Sequence, residues 1–178
     1  MNIQSASSTL CINTKSVYTA LKSLIHTTVT DADVDLYMLS LVDDFLHSIQ
    51  VQPNAQTRRY GLGCVLVNII TEQMLYLAAL LEVKTSIEQM TYHQIMLTIS
   101  RYAQTGNAEL IGWCWLYCRY VRAELCISPT VFSEVCSINE RTLRRYQADT
   151  MQRLTIVIIE KELQSQIRQP NTITPIRS

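Results

Sequence analysis

The scarcity of glycine and proline constrains the fold of this chain more than any other feature of its sequence. Among 178 residues there are four Gly and four Pro, whereas 48% of the residues are hydrophobic. An all-β sandwich needs a turn roughly every dozen residues, and turns draw heavily on those two residue types. A disordered chain would have a lower hydrophobic content or a larger net charge, whereas the net charge here is zero. We therefore expect an all-α protein.

The spacing of the apolar residues supports this expectation and divides the chain into helices. Apolar side chains recur at intervals of three and four, which is typical of amphipathic helices. Thr91 and Gln94 have the spacing of a capping box and predict a helix start. The helices predicted before residue 105 are 17–25, 36–46 with a start at Thr30–Asp33, 57–83 with an interruption at Gly61 and Gly63, and 91–103.

Gly106 and Asn107 form a stop-and-restart signal that divides the chain in two. The predicted architecture is an N-terminal helical bundle over 14–105, packed on a helix-turn-helix unit over 106–168 that ends in a long helix. Residues 1–13 and 169–178 are expected to be flexible tails, because the first is rich in Ser and Thr and the second begins with a helix-ending proline. The three helices predicted for the C-terminal unit are 108–125, 129–136 and 140–167.

The cysteines and the apolar stretches indicate the compartment. None of the six cysteines forms a CxxC pair, and six unpaired thiols favour a reducing environment. No secretion signal is visible, and the apolar stretches are far shorter than the roughly 20 residues of a membrane span. We expect a cytoplasmic protein with no membrane association, no cofactor and no metal, although Cys114 and Cys118 could bind zinc if Cys126 and Cys136 supplied two more ligands. The six cysteines are Cys11, Cys64, Cys114, Cys118, Cys126 and Cys136.

A two-helix corner is predicted between Ser128 and Tyr146. Ser128 followed by Pro129 is a helix start, with a capping oxygen and then proline at the first helical position. The helix that they begin is short, and Asn139 can cap the next one. Two helices separated by about three residues must cross steeply, which is the geometry of a helix-turn-helix.

The outer face of the second helix carries the functional prediction. Three arginines share one stripe of that helix, and the half of the chain beyond residue 100 has a net charge of +3 against −3 for the first half. Arginine can bind guanine through two hydrogen bonds and can also reach phosphates, so the stripe suits a DNA major groove. The alternative is a solvated basic face. The residues predicted to contact double-stranded DNA are Ser128 and Thr130, through backbone amides near phosphate, and Asn139, Glu140, Arg141, Arg144 and Arg145 on the second helix.

The same stretch resembles a known family of DNA-binding domains. The residues from Leu116 to Val121, then Leu125, and then Ser128 to Tyr146 are similar to the helix-turn-helix of sigma-factor region 4 and of LuxR-type regulators. Ser137 stands where that family usually has Gly, and Cys136 replaces its usual Leu. The resemblance covers about residues 113–165, and it implies DNA binding and transcription regulation without naming an operator.

The last helix also predicts self-association. Its segment from Leu154 to Ile159 is apolar almost all round, and a helix that is hydrophobic on every side must be covered on every side. Burial within one chain is the alternative to a homodimer. A second hypothesis for the whole protein is a helical oligomerisation or adaptor module that has lost DNA binding and holds a protein partner on its N-terminal bundle. The residues predicted at the dimer interface are Met151, Leu154, Ile158 and Leu163.

Catalysis is not indicated by any motif of the sequence. Gly61 and Gly63 lack the third glycine and the preceding strand of a dinucleotide-binding loop. Trp113, Trp115 and the tyrosines that follow them are expected to be core or interface residues, with base stacking as the less favoured alternative. The sequence therefore predicts a protein that is not an enzyme.

Overall fold

A computed structural model describes residues 12–25, 34–83 and 91–168, and within these ranges the chain forms helices and no strand. The prediction of an all-α protein is confirmed. Most of the predicted tails, and the predicted helix start at Thr30–Asp33, lie outside the described residues.

Five helices precede residue 105 within the described ranges. The first helix is short and amphipathic, and the segment predicted as one helix over 36–46 is divided in two at Met38 and Leu39. The predicted capping box at Thr91 is present, since its hydroxyl accepts the amide of Gln94 while the Gln94 side chain accepts the amide of Thr91. The bounds are Thr14–Ile25 for α1, Val34–Tyr37 for α2, Ser40–Ser48 for α3, Ala55–Leu80 for α4 and Tyr92–Gln104 for α5.

Helix α4 runs without a break, so the predicted interruption near Gly61 and Gly63 is wrong. The two glycines lie where neighbouring helices approach α4 closely. A Cβ atom at Gly61 would lie 3.1 Å from Cγ1 of Val42, and one at Gly63 would lie 2.9 Å from Cδ2 of Leu24. These glycines therefore serve packing and do not interrupt the helix, because the absence of side chains lets α3 and α1 approach α4 closely.

By length and composition alone, α4 could cross a membrane, and it is the one described helix of which this is true. In the protein it packs against α1, α3, α6 and α8, and 39% of its most apolar window is buried. The core helix of a protein in water passes the same test, so this finding is weak support for a membrane role.

Between Gly106 and Arg168, the last described residue, the chain forms three more α-helices, and two tight turns separate the first of them from the second. Gly106 adopts a φ of +67° and Asn107 caps the next helix by accepting the amide of Leu110, as the stop-and-restart signal predicts. The segment predicted as one helix over 108–125 is α-helical only as far as Leu116. The elements are Ala108–Leu116 for α6, a π-helical turn over Tyr117–Val121, a 3₁₀ turn over Ala123–Leu125, Pro129–Val135 for α7 and Glu140–Arg168 for α8.

Helices α6 and α8 approach each other closely at Gly112. A Cβ atom at Gly112 would lie 2.0 Å from Oγ1 of Thr150 and 3.1 Å from the carbonyl oxygen of Tyr146. Any side chain at Gly112 would therefore push the two helices apart. Both tryptophans of the chain lie on α6 and are about 1% exposed, so this crossing is at the centre of the core.

The C-terminal half of α8 lies across the N-terminal bundle, in contact with α1, α3 and α4. The buried carboxylate of Glu162 accepts the backbone amides of Ser40 and Leu41, each at 3.0 Å. The N-cap residue of α3, Leu39, has no side-chain oxygen to do this. Glu162 therefore caps α3 from a distance of more than 120 residues along the chain.

The predicted dimer-interface residues require a correction. Met151, Leu154 and Ile158 are at most 4% exposed, because the face of α8 that carries them packs inside the chain. These three side chains are core residues and are not on the surface. Leu163, by contrast, is 54% exposed.

Candidate nucleic-acid interface

The turn between α7 and α8 forms a well-bonded helix end. The amide of Ser137 donates to the carbonyl of Glu134 and the amide of Ile138 to that of Ser133, each at 3.0 Å. This pair of bonds is the Schellman motif, which needs a left-handed residue at its corner. Ser137 takes that conformation with a φ of +54°, at the position where the resemblance to sigma-factor region 4 implies Gly.

The start of α8 is capped as the sequence predicts. The side-chain oxygen of Asn139 accepts the amide of Thr142 at 2.8 Å. The core behind the turn is formed by Phe132 and Trp115, whose ring centroids are 5.0 Å apart, and by Leu143. Helix α7 is thereby fixed between α5, α6 and the first turns of α8.

The start of α7 offers less to a phosphate than the sequence suggests. The hydroxyl of Ser128 accepts the amide of Val131 at 3.2 Å, and Pro129 has no amide hydrogen. The hydroxyl of Thr130 donates to a carboxylate oxygen of Glu140 at 2.7 Å. Most polar groups at this helix end therefore already have partners within the protein.

The three arginines of α8 lie on the surface. Arg141, Arg144 and Arg145 are all exposed, with 80% of the Arg144 side chain open to solvent. Arg145 lies over the ring of Tyr146, with 5.5 Å between the guanidinium carbon and the ring centroid. Asn139 is exposed beside them, so these four side chains form one open polar face.

Glu140 reduces the positive charge of this face and orders it. Its carboxylate accepts the Thr130 hydroxyl and lies 3.5 Å from the guanidinium of Arg144, one helical turn away. An exposed pair of this kind contributes little to stability. Glu140 thus accepts a short bond from Thr130 and lies near Arg144, so its carboxylate partly offsets the charge of the arginine face.

The rear of the arginine-bearing segment is anchored to the core. The amide oxygen of Gln147 accepts the indole N–H of Trp115 at 3.0 Å. The hydroxyl of Thr150 donates to the carbonyl of Tyr146 at 2.8 Å, beside the close approach to Gly112. These contacts fix the direction in which the arginines project. The one sign of the close approach in the sequence is Gly112, an isolated glycine in an apolar helix.

A shallow groove adjoins the arginine face and was not indicated by the sequence. It lies between α1 and α8 and has a volume of about 560 Å³. Lys15 and Tyr18 of α1 line one side, and Arg144 and Ala148 of α8 line the other. The fold therefore brings a cation from the start of the chain next to a cation of the predicted DNA-binding stripe.

The aromatic residues of α6 and of the π-helical turn do not reach this surface. Trp113, Trp115, Tyr117 and Tyr120 are each 5% exposed or less. Burial raises the pKa of both tyrosines, so their hydroxyls stay protonated at neutral pH. The prediction that these residues are core residues agrees with their positions, and base stacking by them is excluded.

The buried thiols of Cys114 and Cys136 are held in their protonated form. A hydrogen bond with Cys118, together with burial, raises the pKa of Cys114 well above its usual value. Burial and the nearby Cys118 raise the pKa of Cys136 to about 12. A thiol acts as ligand or nucleophile in its deprotonated form. Among the described residues no three His, Cys, Asp or Glu side chains are grouped as a metal site would require.

Comparison of the chain with protein-family models, with curated proteins and with solved structures finds no match. The resemblance to sigma-factor region 4 and LuxR-type domains therefore stays a prediction that rests on the residues themselves.

Proposed function

We propose that this protein is a cytoplasmic, non-catalytic regulator that binds double-stranded DNA in a sequence-specific manner through the start of α8. The observation that carries the proposal is the open face of Asn139, Arg141, Arg144 and Arg145, just beyond a capped two-helix corner. A recognition helix reads bases with side chains near its N-terminus, and that is where these four residues lie.

The rigidity of this face supports specific rather than general binding. Leu143, which follows Arg141 by two residues, is buried, and Gln147 is bonded to Trp115, so the backbone that carries the arginines is held on its inner side. A protein of zero net charge gains little from long-range attraction to phosphates. Affinity must then depend on the few contacts of this face, and non-specific binding should be weak and strongly dependent on salt.

The first experiment is a selection of binding sites from random duplexes, followed by mobility-shift titration of the enriched motif. Replacing Arg144 with Ala should cost about 1–3 kcal/mol if that side chain makes a bidentate base contact. The triple change of Arg141, Arg144 and Arg145 to Ala should abolish specific binding. Absence of any enriched motif would overturn sequence-specific binding.

A matched control removes the same charge from another part of the same helix. Arg153, Lys161 and Arg168 all lie on α8 beyond the arginine face. Changing these three residues to Ala should leave the affinity for the selected duplex within about threefold, since none of them lies on the proposed contact surface. Equal losses in the two triple variants would show that total charge, and not this face, governs binding.

Homodimerisation is part of the proposal, through the exposed apolar residues of α8 instead of the buried ones. Ile156, Leu163 and Ile167 are 54%, 54% and 81% exposed, and their spacing of seven and four places them on one side of α8. A symmetric dimer paired through this stripe would bring two copies of the arginine face into one assembly, as two half-sites require.

Sedimentation equilibrium tests this pairing. Leu163→Glu should convert a dimer to a monomer and weaken binding to a two-half-site duplex, with helicity retained because Leu163 is exposed. Gln164→Glu adds the same charge at the adjacent exposed position and should leave the dimer intact. A wild-type protein that remains monomeric at micromolar concentration, with and without DNA, would refute the dimer.

The same apolar stripe favours a second candidate function, an oligomerisation or adaptor module without DNA affinity. Ile156, Leu163 and Ile167 offer a hydrophobic seam that a partner helix could cover, and Glu140 lowers the charge of the arginine face. Light scattering alongside the mobility-shift assay separates the two functions. A defined oligomer with no enriched DNA motif would favour the adaptor.

A further inference from the structure

We infer that the groove between α1 and α8 binds a small organic anion with an apolar body, and that this ligand competes with DNA for Arg144. The groove's volume of about 560 Å³ lies within the roughly 300–1,000 Å³ that is usual for sites of small organic molecules. The site itself is independent of the proposed function, whereas the competition rests on it.

The walls of the groove define the chemistry of the ligand. Ala148 of α8, the ring of Tyr18 from α1 and the small exposed part of Met151 provide an apolar surface for a hydrocarbon chain or an aromatic ring. Lys15 and Arg144 add two cations, and the groove has no carboxylate in its lining. An apolar body with one carboxylate head group is complementary to both features.

The two cations are available for such a head group. Lys15 is exposed, and its ammonium has no ion-pair partner within the described part of the chain. Arg144 is paired with Glu140 at 3.5 Å, a distance too long for a strong bond between an arginine and a carboxylate. A ligand carboxylate can therefore replace Glu140 as the partner of Arg144 without breaking a buried contact.

Competition with DNA follows from the double position of Arg144. This side chain lines the groove and also belongs to the proposed DNA-binding face. When the guanidinium of Arg144 is bonded to a ligand carboxylate, the two charges neutralise each other. The guanidinium then cannot reach a guanine or a phosphate. Ligand binding should therefore lower DNA affinity, and by linkage DNA should lower ligand affinity by the same factor.

Calorimetric titration of the DNA-free protein with decanoate, below the concentration at which it forms micelles, tests the site. Decanol has the same chain without the charge, and we expect decanoate to bind at least about fivefold more tightly. Lys15→Ala or Arg144→Ala should each weaken decanoate binding by about fivefold, the upper range for an exposed ion pair. Arg153→Ala, a matched exposed arginine on α8 outside the groove, should have no effect.

Ala148→Phe fills the groove at an exposed position and should abolish binding of decanoate while leaving the fold intact. Equal affinities for decanoate and decanol, or unchanged binding in the Lys15, Arg144 and Ala148 variants, would overturn the site. These measurements contain no DNA, so their outcome is independent of whether the proposed function is correct. Decanoate that binds the groove without weakening DNA binding would overturn the competition alone.

Discussion

The two halves of α8 differ sharply, although they belong to one continuous helix. Residues 140–149 carry three exposed arginines, and their few bonds to the rest of the protein come from one side. Residues 150–165 carry Leu154 and Ile158 into the core and cap α3 through Glu162. The second half therefore supplies most of the core contacts of the helix, and the first half exposes a charged surface while Leu143 and Gln147 hold its inner side.

This difference shows how a charged surface can be held still without being buried. A helix is stiff along its axis, so anchoring residues 150–165 also fixes the direction in which residues 140–149 point. The arginines need no stabilising contacts of their own. Substitutions should consequently separate stability from binding along the length of a single helix.

The largest expected effect comes from breaking the anchored half. Leu154→Ala removes a fully buried side chain from the core and should lower the free energy of unfolding by about 2–5 kcal/mol. Arg145→Ala, nine residues earlier on the same helix, should change it by no more than about 0.5 kcal/mol. Urea denaturation followed by circular dichroism measures both. Similar losses in the two variants would contradict the division of α8 into anchored and open halves.

The next effect concerns the long-range cap of α3. Glu162→Ala leaves the amides of Ser40 and Leu41 without their acceptor, which should cost about 1–3 kcal/mol of unfolding free energy. Glu160→Ala, an exposed change two residues away, is the control and should cost less than about 0.5 kcal/mol. Faster hydrogen exchange at Ser40 and Leu41 in the Glu162 variant would identify the cap as the cause. Unchanged exchange there would show that Glu162 acts in another way.

A third variant tests the point where the two halves meet. Gly112→Ala places a methyl group against Thr150 and the carbonyl of Tyr146, so it should destabilise the protein by about 1–3 kcal/mol through overpacking. Adding Thr150→Ala removes the nearest atom and should recover part of that loss. Thermal unfolding of the single and double variants measures this coupling, and strictly additive effects would argue against the close contact.

The sequence predicts the helical class and the arginine face because both depend on local rules. Apolar spacing locates most of the helices, and Asn139 and Thr91 cap their helices as their residue types imply. The failures have a different origin. The sequence predicts an interruption at Gly61 and Gly63, but these glycines mark close approaches to Val42 and Leu24 that only the tertiary structure contains.

The prediction of the residues at the dimer interface failed in part for the same reason. The sequence shows that the segment around Leu154 and Ile158 is apolar on several sides, but not which side the N-terminal bundle covers. Glu162 was also missed, since a single glutamate in a helix carries no local sign of the two amides it meets 122 and 121 residues earlier. Contacts between distant segments set these features, and no pattern within one helix reports them.

The smallest expected effect is a gain in stability at the corner that starts the open half. Ser137 has a φ of +54°, a conformation that costs a residue with a side chain about 1 kcal/mol and costs glycine far less. Ser137→Gly should therefore raise the free energy of unfolding by up to about 1 kcal/mol, whereas Ser137→Ala, which keeps the strain, should change it little. Because the bonds from the amides of Ser137 and Ile138 involve only the backbone, both variants should keep the corner and the binding properties of the arginine face. A loss of stability on introducing glycine would mean that the lost side-chain contacts and added chain freedom outweigh the relief of strain at this corner.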